Sequence, residues 1–158
     1  MIAVSDTSPL IALSKLGYSN YLPSFFEKIY IPHGVASELA RKDDNARAAT
    51  ETLINQGIIV VKTTTNYALV RVLNQELGRG EAEAIALSLE LKPDVIILDD
   101  LEARVFARSF ELKVIGTLGV IRALVRKELI KETPEELFEK LQSIDFWISQ
   151  DLFSQLFL

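Results

Sequence analysis

The chain has 158 residues, 49% of them hydrophobic, which fits one domain, residues 1–158, with a sizeable core. It lacks cysteine, which excludes disulfides and thiolate chemistry, and its one histidine, His33, excludes multi-histidine zinc clusters. Net charge is −5, and apolar runs such as Ile58–Val61 and Val95–Leu98 fall far short of the ~20 residues a membrane-spanning helix needs.

Strand and helix signals alternate along the chain. Ile2–Ser5 reads as a strand. Ser8 and Pro9 then open a helix, because serine caps and proline is tolerated at the first helical position. Residues 21–28 read as a second helix, and Ile29–Ile31 as a strand stopped by Pro32. Residues 34–42 and 45–56 read as helices, the latter ended by Gly57. Ile58–Val61 is the third strand. Residues 67–77 and 81–91 are helical around Gly78-Arg79-Gly80. Val95–Leu98 is the fourth strand, followed by a helix over 101–110. Lys113–Ile115 is the fifth strand, and a helix starts at Thr117 or Leu118. Thr133-Pro134-Glu135-Glu136 is a capped helix start, and a short helix covers 149–157. This alternation predicts a three-layer α/β/α fold with a central, mostly parallel five-stranded sheet.

Five acids stand where such a fold binds ligands, just beyond the carboxyl ends of strands. Asp6 follows the first strand, and Asp99 and Asp100 follow the fourth. Glu38 lies at the edge of a helical face set by Val35 and Leu39, and Glu81 opens a helix. Carboxylates gathered there destabilise the fold unless something cationic compensates them. Without a matching Lys or Arg cluster, they point to a hard divalent cation, Mg²⁺ or Mn²⁺. Glu81 and Glu83 lie about 200° apart around a helix, so at most one ligates directly. Asp99 and Asp100 point to opposite sides, so one can ligate while the other caps the helix at Leu101. Removing the five acids from the net charge of −5 leaves the remainder neutral. Arg104 and Arg108 could meet phosphate, or pair with Glu102 or Glu111 at the surface. Thr117 is a candidate for the site rim or for a helix cap. His33 reads as a surface residue at a helix start and Trp147 as packing. The apolar stretch Leu152-Phe153 to Leu156-Phe157-Leu158 is expected to pack on the domain.

In this order and spacing, Asp6-Thr7-Ser8, Glu38, Gly80-Glu81-Ala82-Glu83-Ala84-Ile85-Ala86-Leu87, Asp99-Asp100 with Ala103-Arg104, and Gly116-Thr117-Leu118-Gly119 resemble the PIN domain. That is the metal-dependent nuclease fold used by VapC-type toxins. The likeness is strongest to a prokaryotic PIN-like branch. It implies Mg²⁺- or Mn²⁺-dependent hydrolysis of phosphodiester bonds, usually in RNA. The metal ligands it implies are Asp6, Glu38, Glu81 or Glu83, and Asp99 or Asp100, with Ser8 or Thr7 supporting. It also implies an antitoxin partner, a homodimer, and the cytoplasm as location. The alternative expectation is an inactive PIN-like module that binds a protein or nucleic acid without cutting.

Overall fold

Alternate strand residues feed two separate apolar layers, as the two-residue period of an extended chain requires. Ala3, Val95 and Ile97 join one buried cluster, whereas Val4, Ile96 and Leu98 join the other. The computed structural model describes residues 1–42 and 45–158. Strands β1 (Ile2–Ser5), β2 (Lys28–Ile31), β3 (Ile59–Val61), β4 (Val95–Ile97) and β5 (Val114–Ile115) form one sheet in the order β3-β2-β1-β4-β5. Every pairing is parallel, with Ala3 in register with both Ile29 and Val95. Parallel neighbours need crossover connections, and here helices supply them.

On one face pack α1 (Thr7–Lys15), α2 (His33–Arg41), α3 (Asn45–Asn55), α7 (Thr117–Arg126), α8 (Pro134–Ser143) and α9 (Gln150–Phe157). They bury Leu13, Val35, Leu39, Leu53, Ile121, Leu141 and Phe153 against the sheet. On the other face pack α4 (Tyr67–Leu73), α5 (Arg79–Leu91) and α6 (Leu101–Ser109), through Leu73, Ile85, Leu87, Ala103 and Ala107. The chain builds β1, β2 and β3 outward in one direction, then returns to lay β4 on the other side of β1. That reversal opens a crevice at the carboxyl ends of β1 and β4, where Asp6 and Asp99 stand.

Several expectations need correction. Residues 21–28 are not an α-helix: Ser19–Ser24 forms a short 3-10 helix, and Lys28 already belongs to β2. Pro23 lacks the amide that a longer helix would use. The first helix starts at Thr7, with Asp6 rather than Ser8 in the cap position, so Pro9 lies inside the first turn. The helix over 67–77 stops at Leu73. Trp147 does not pack: it is 94% exposed in the link between α8 and α9. The C-terminal segment docks through Phe153, which meets Phe138 and Phe157 edge-on or tilted, while Leu158 stays exposed.

Two polar clamps hold elements that matter below. Glu90 at the end of α5 accepts from the Thr64 hydroxyl and from the amides of Thr65 at 2.8 Å and Asn66 at 3.0 Å. Burial works against its ionised form, but these bonds hold its carboxyl below the usual range. The loop entering α4 is thereby tied to α5. Glu132 accepts from the Tyr18 hydroxyl at 3.0 Å and from Lys140 at 2.6 Å, fastening α8 to the core.

Candidate active site

Asp6 ends β1, and its amide donates to the Ile97 carbonyl at 3.2 Å, continuing the sheet ladder into the site. Its position is therefore set by the backbone of two strands. The residue is 6% exposed. Its carboxyl is pushed up from an ordinary value of 3.8 to about 7, first by burial and further by repulsion from Glu81, Glu38 and Asp99. A hydrogen bond from the Thr7 amide opposes this shift and is outweighed. Among the described residues none of Asp6, Glu38, Glu81, Asp99 and Asp100 forms an ion pair.

Gly80 explains how two of these acids come so close to α5. A Cβ placed there would lie 3.0 Å from Asp6 Oδ1 and 3.3 Å from Glu38 Oε1. The glycine is needed for its missing side chain: it sits inside α5, not in a turn with positive φ. Glu81, on the next residue, accepts from the Gly78 amide at 3.0 Å and so closes the start of α5. Burial raises its pKa, the Gly78 bond opposes, and Asp100 and Glu38 add repulsion.

Glu83 points elsewhere, as the helical angle predicts. It is buried and accepts from the Gly34 amide at 2.8 Å and from Arg79 Nε at 2.7 Å. Its Oε2 thus braces α5 against the start of α2, the helix that carries Glu38, while its Oε1 is held by Arg79 one turn back on α5. A Cβ on Gly34 would lie 2.7 Å from Glu83 Oε2, so glycine is required there too. Nothing in local periodicity distinguishes this brace from a ligand; the Gly34 to Glu83 pairing spans 49 residues.

The adjacent acids at the end of β4 divide their work. Asp100 caps α6, accepting from the Ala103 amide at 2.8 Å. Asp99 accepts from the Thr117 amide at 2.7 Å and the Thr117 hydroxyl at 2.6 Å. Thr117 is buried at the first turn of α7, so it fixes the Asp99 side chain from below the rim. Arg104 is half-buried beside this clamp: a Cβ on Gly116 would lie 2.8 Å from its Nη1 and 2.9 Å from Asp99 Oδ1. The expected surface pairs of Arg104 and Arg108 with Glu102 or Glu111 do not form among the described residues. Arg108 is exposed one turn farther along α6. Ser8 is exposed, whereas Thr7 is buried with its hydroxyl unpartnered among the described residues.

Among the described residues no three acidic or histidine side chains stand close enough together to enclose a metal ion on their own. The donor set nonetheless fits a hard cation. Mg²⁺ needs only one or two carboxylates, with water and substrate oxygens completing its shell, and Asp6 and Glu38 converge over Gly80 to provide them. The fit rests on Asp6, a buried carboxylate repelled by Glu81, Glu38 and Asp99 and without a paired cation among the described residues.

None of the described helices is long and apolar enough to cross a membrane. No curated protein matches the chain. A family model described as a PIN domain matches residues 2–157. PIN domains are generally nucleases that bind nucleic acid and typically use divalent metal ions. With the match spanning all five strands and every acid named above, the chain belongs to the PIN-domain family.

Proposed function

We propose that this chain is a Mg²⁺- or Mn²⁺-dependent endoribonuclease that hydrolyses RNA phosphodiester bonds. We infer further that it is the toxin of a toxin–antitoxin pair, acting in the cytoplasm and restrained by a cognate antitoxin protein. The observation that carries the catalytic reading is Asp6: a buried carboxylate, repelled by three neighbouring acids and paired with no cation among the described residues. An arrangement of that kind is costly to the fold and is compensated by a bound cation.

The charge distribution supports nucleic acid as substrate. Residues 132–158 carry six acids and one lysine, so they account for the whole net charge of −5. The preceding 131 residues balance, sixteen basic against sixteen acidic side chains, with the five site acids included. Outside the site, that part of the chain has five surplus basic groups with which to meet phosphates.

In this reading Asp6 and Glu38, which converge on the bare face of Gly80, would hold the cation, and Glu81 would add charge beside them. A bound divalent cation supplies an ionised water near neutral pH and charge relief on the phosphoryl oxygens. Thr117 keeps Asp99 in one orientation across the crevice. Asp100 secures the start of α6, and Arg104 with Arg108 draws the phosphate backbone toward the cluster. Glu83 is a positioning residue that holds α2, and therefore Glu38, against α5.

The rival reading is a module that binds without cutting, and it draws on the absence of three fully converged carboxylates among the described residues. Incubation with a mixed RNA pool in Mg²⁺ or Mn²⁺ separates the two, with EDTA and Asp6→Asn run alongside. Cleavage that requires both the metal and Asp6 is expected. Cleavage that survives either treatment overturns the assignment, and RNA binding without cleavage in either metal favours the module.

A further inference from the structure

A cavity of about 400 Å³ lies on the other flank of the same sheet edge, lined by His33, Thr63, Tyr67, Val70, Arg79 and Glu83 among others. Its volume is in the range of small-ligand pockets. It is built at the carboxyl ends of β2 and β3, from residues just past those strands and from the facing starts of α4 and α5. The acidic site sits at the carboxyl ends of β1 and β4. The two are therefore neighbours along one edge, and their walls are shared. Arg79 lines the cavity while Gly80, the next residue, carries Asp6 and Glu38 on its bare face. His33 opens the cavity side of α2, and Glu38 lies five residues on, about 7.5 Å of helical rise.

The lining chemistry is unusual for a packing defect. Tyr67 is 65% exposed, on the first residue of α4, and makes no ring contact among the described residues. The backbone that carries it is nonetheless anchored, because Asn66 caps α4 through the Leu69 amide at 3.2 Å and Glu90 grips the loop before it. The Arg79 side chain is 67% exposed and, among the described residues, commits only Nε to Glu83, which leaves the two terminal nitrogens of its guanidinium for an incoming anion. Val70 supplies an apolar floor, and His33 and Thr63 supply polar edges. An exposed aromatic on an anchored backbone, lining one cavity with a guanidinium, is the pairing that captures an unstacked base together with its phosphate.

We propose that this cavity is a nucleotide subsite, which takes one unpaired base of a single-stranded RNA, stacked on Tyr67, with the adjoining phosphate on Arg79. The inference rests on the ribonuclease reading of the acidic site. It makes Tyr67 a determinant of which strand form is bound, since a paired base cannot enter a cavity of this kind.

The test uses the full chain carrying Asp6→Asn, so that substrate is bound and not cut. Twelve-nucleotide fluorescent RNAs of A, C or U are titrated by anisotropy, with a twelve-base-pair RNA duplex as control. At least one single strand binds more tightly than the duplex, Tyr67→Ala weakens it about ten-fold or more, and Tyr67→Trp retains it. The proposal is overturned by a Tyr67→Ala protein that binds like its parent, by Trp and Ala variants that weaken alike, or by a duplex that binds as tightly. If the Asp6→Asn parent binds none of these RNAs, the ribonuclease reading fails and the subsite fails with it. If the parent still prefers a single strand but Tyr67→Ala binds it as tightly, the subsite alone is removed.

Discussion

Replacing Asp6 by Asn should make the metal-free protein more stable at alkaline pH, although it removes the proposed principal ligand. The folded chain holds the Asp6 carboxyl at about 7 against an ordinary value of 3.8. Below the lower value both folded and unfolded chains carry the proton, and the group is neutral in the comparison. Between the two values only the folded chain keeps it, so the stability associated with the proton is lost as pH rises. At 1.36 kcal/mol per unit the full shift amounts to about 4 kcal/mol by pH 8, a ceiling for a group that is 6% exposed. Asparagine has no such dependence. Urea unfolding in EDTA at pH 5 and pH 8 measures the difference between variant and parent at each pH. With a slope of about 2 kcal/mol per molar, the midpoint advantage of the variant should grow by up to about 1.3 M across that window, because only about 2.6 kcal/mol of the shift falls between pH 5 and pH 8. Mg²⁺ should then close most of that gap. The parent gains about 2.7 kcal/mol at a hundred-fold excess over its dissociation constant, and the variant gains little. A difference between the two proteins that stays flat with pH in EDTA would refute the account of Asp6 as a buried, repelled carboxylate.

Gly80→Ala inserts a methyl group 3.0 Å from Asp6 Oδ1, so the apparent Mg²⁺ dissociation constant should rise about ten-fold by calorimetry. The melting temperature of the same variant should change by no more than a few degrees, since alanine's advantage of about 1 kcal/mol as a helix former is opposed by the tight contacts its methyl makes with Asp6, Glu38 and Val35. Glu83→Ala strips a buried amide on Gly34 of its acceptor and should cost about 1–3 kcal/mol by denaturant unfolding, with a parallel loss of cleavage through displaced Glu38. Thr117→Val keeps the amide bond to Asp99 but removes the hydroxyl bond at 2.6 Å; kcat should fall about ten-fold or more while Thr117→Ser remains near the parent.

The sequence makes the sheet legible because its strands are short, apolar and punctuated, and because helices of recognisable period lie between them. All five strands fall within one residue of their expected ends. The first half of the chain is harder where aromatic and apolar residues cluster without a clear period. Tyr21 to Phe26 could fill a helix or a core-facing turn, and Pro23 with the start of β2 at Lys28 decides for the latter. Trp147 fails for the opposite reason: composition makes a tryptophan look buried, while the link that carries it, beyond Asp145 at positive φ, turns it outward.

The acids illustrate what spacing can and cannot carry. Strand ends locate Asp6, Asp99 and Asp100, because a parallel sheet presents every strand end at one edge. The separation of Glu81 from Glu83 follows equally from helical angle. Which of the two faces the crevice does not, because that depends on where α2 lies, and α2 is located by its own packing through Val35 and Leu39. The same holds for Thr117 and Gly80. A threonine after a strand and a glycine in a helix have several local uses, and only long-range contact selects one. Here it selects a hydroxyl that pins Asp99 from α7 and a missing Cβ that lets Asp6 and Glu38 meet at α5. The charge pattern follows a similar logic. A net −5 chain looks poorly suited to nucleic acid until its acidic excess is traced to residues 132–158, with α8 and α9, which leaves the strand edge free to hold its acids as a local feature against an otherwise basic remainder.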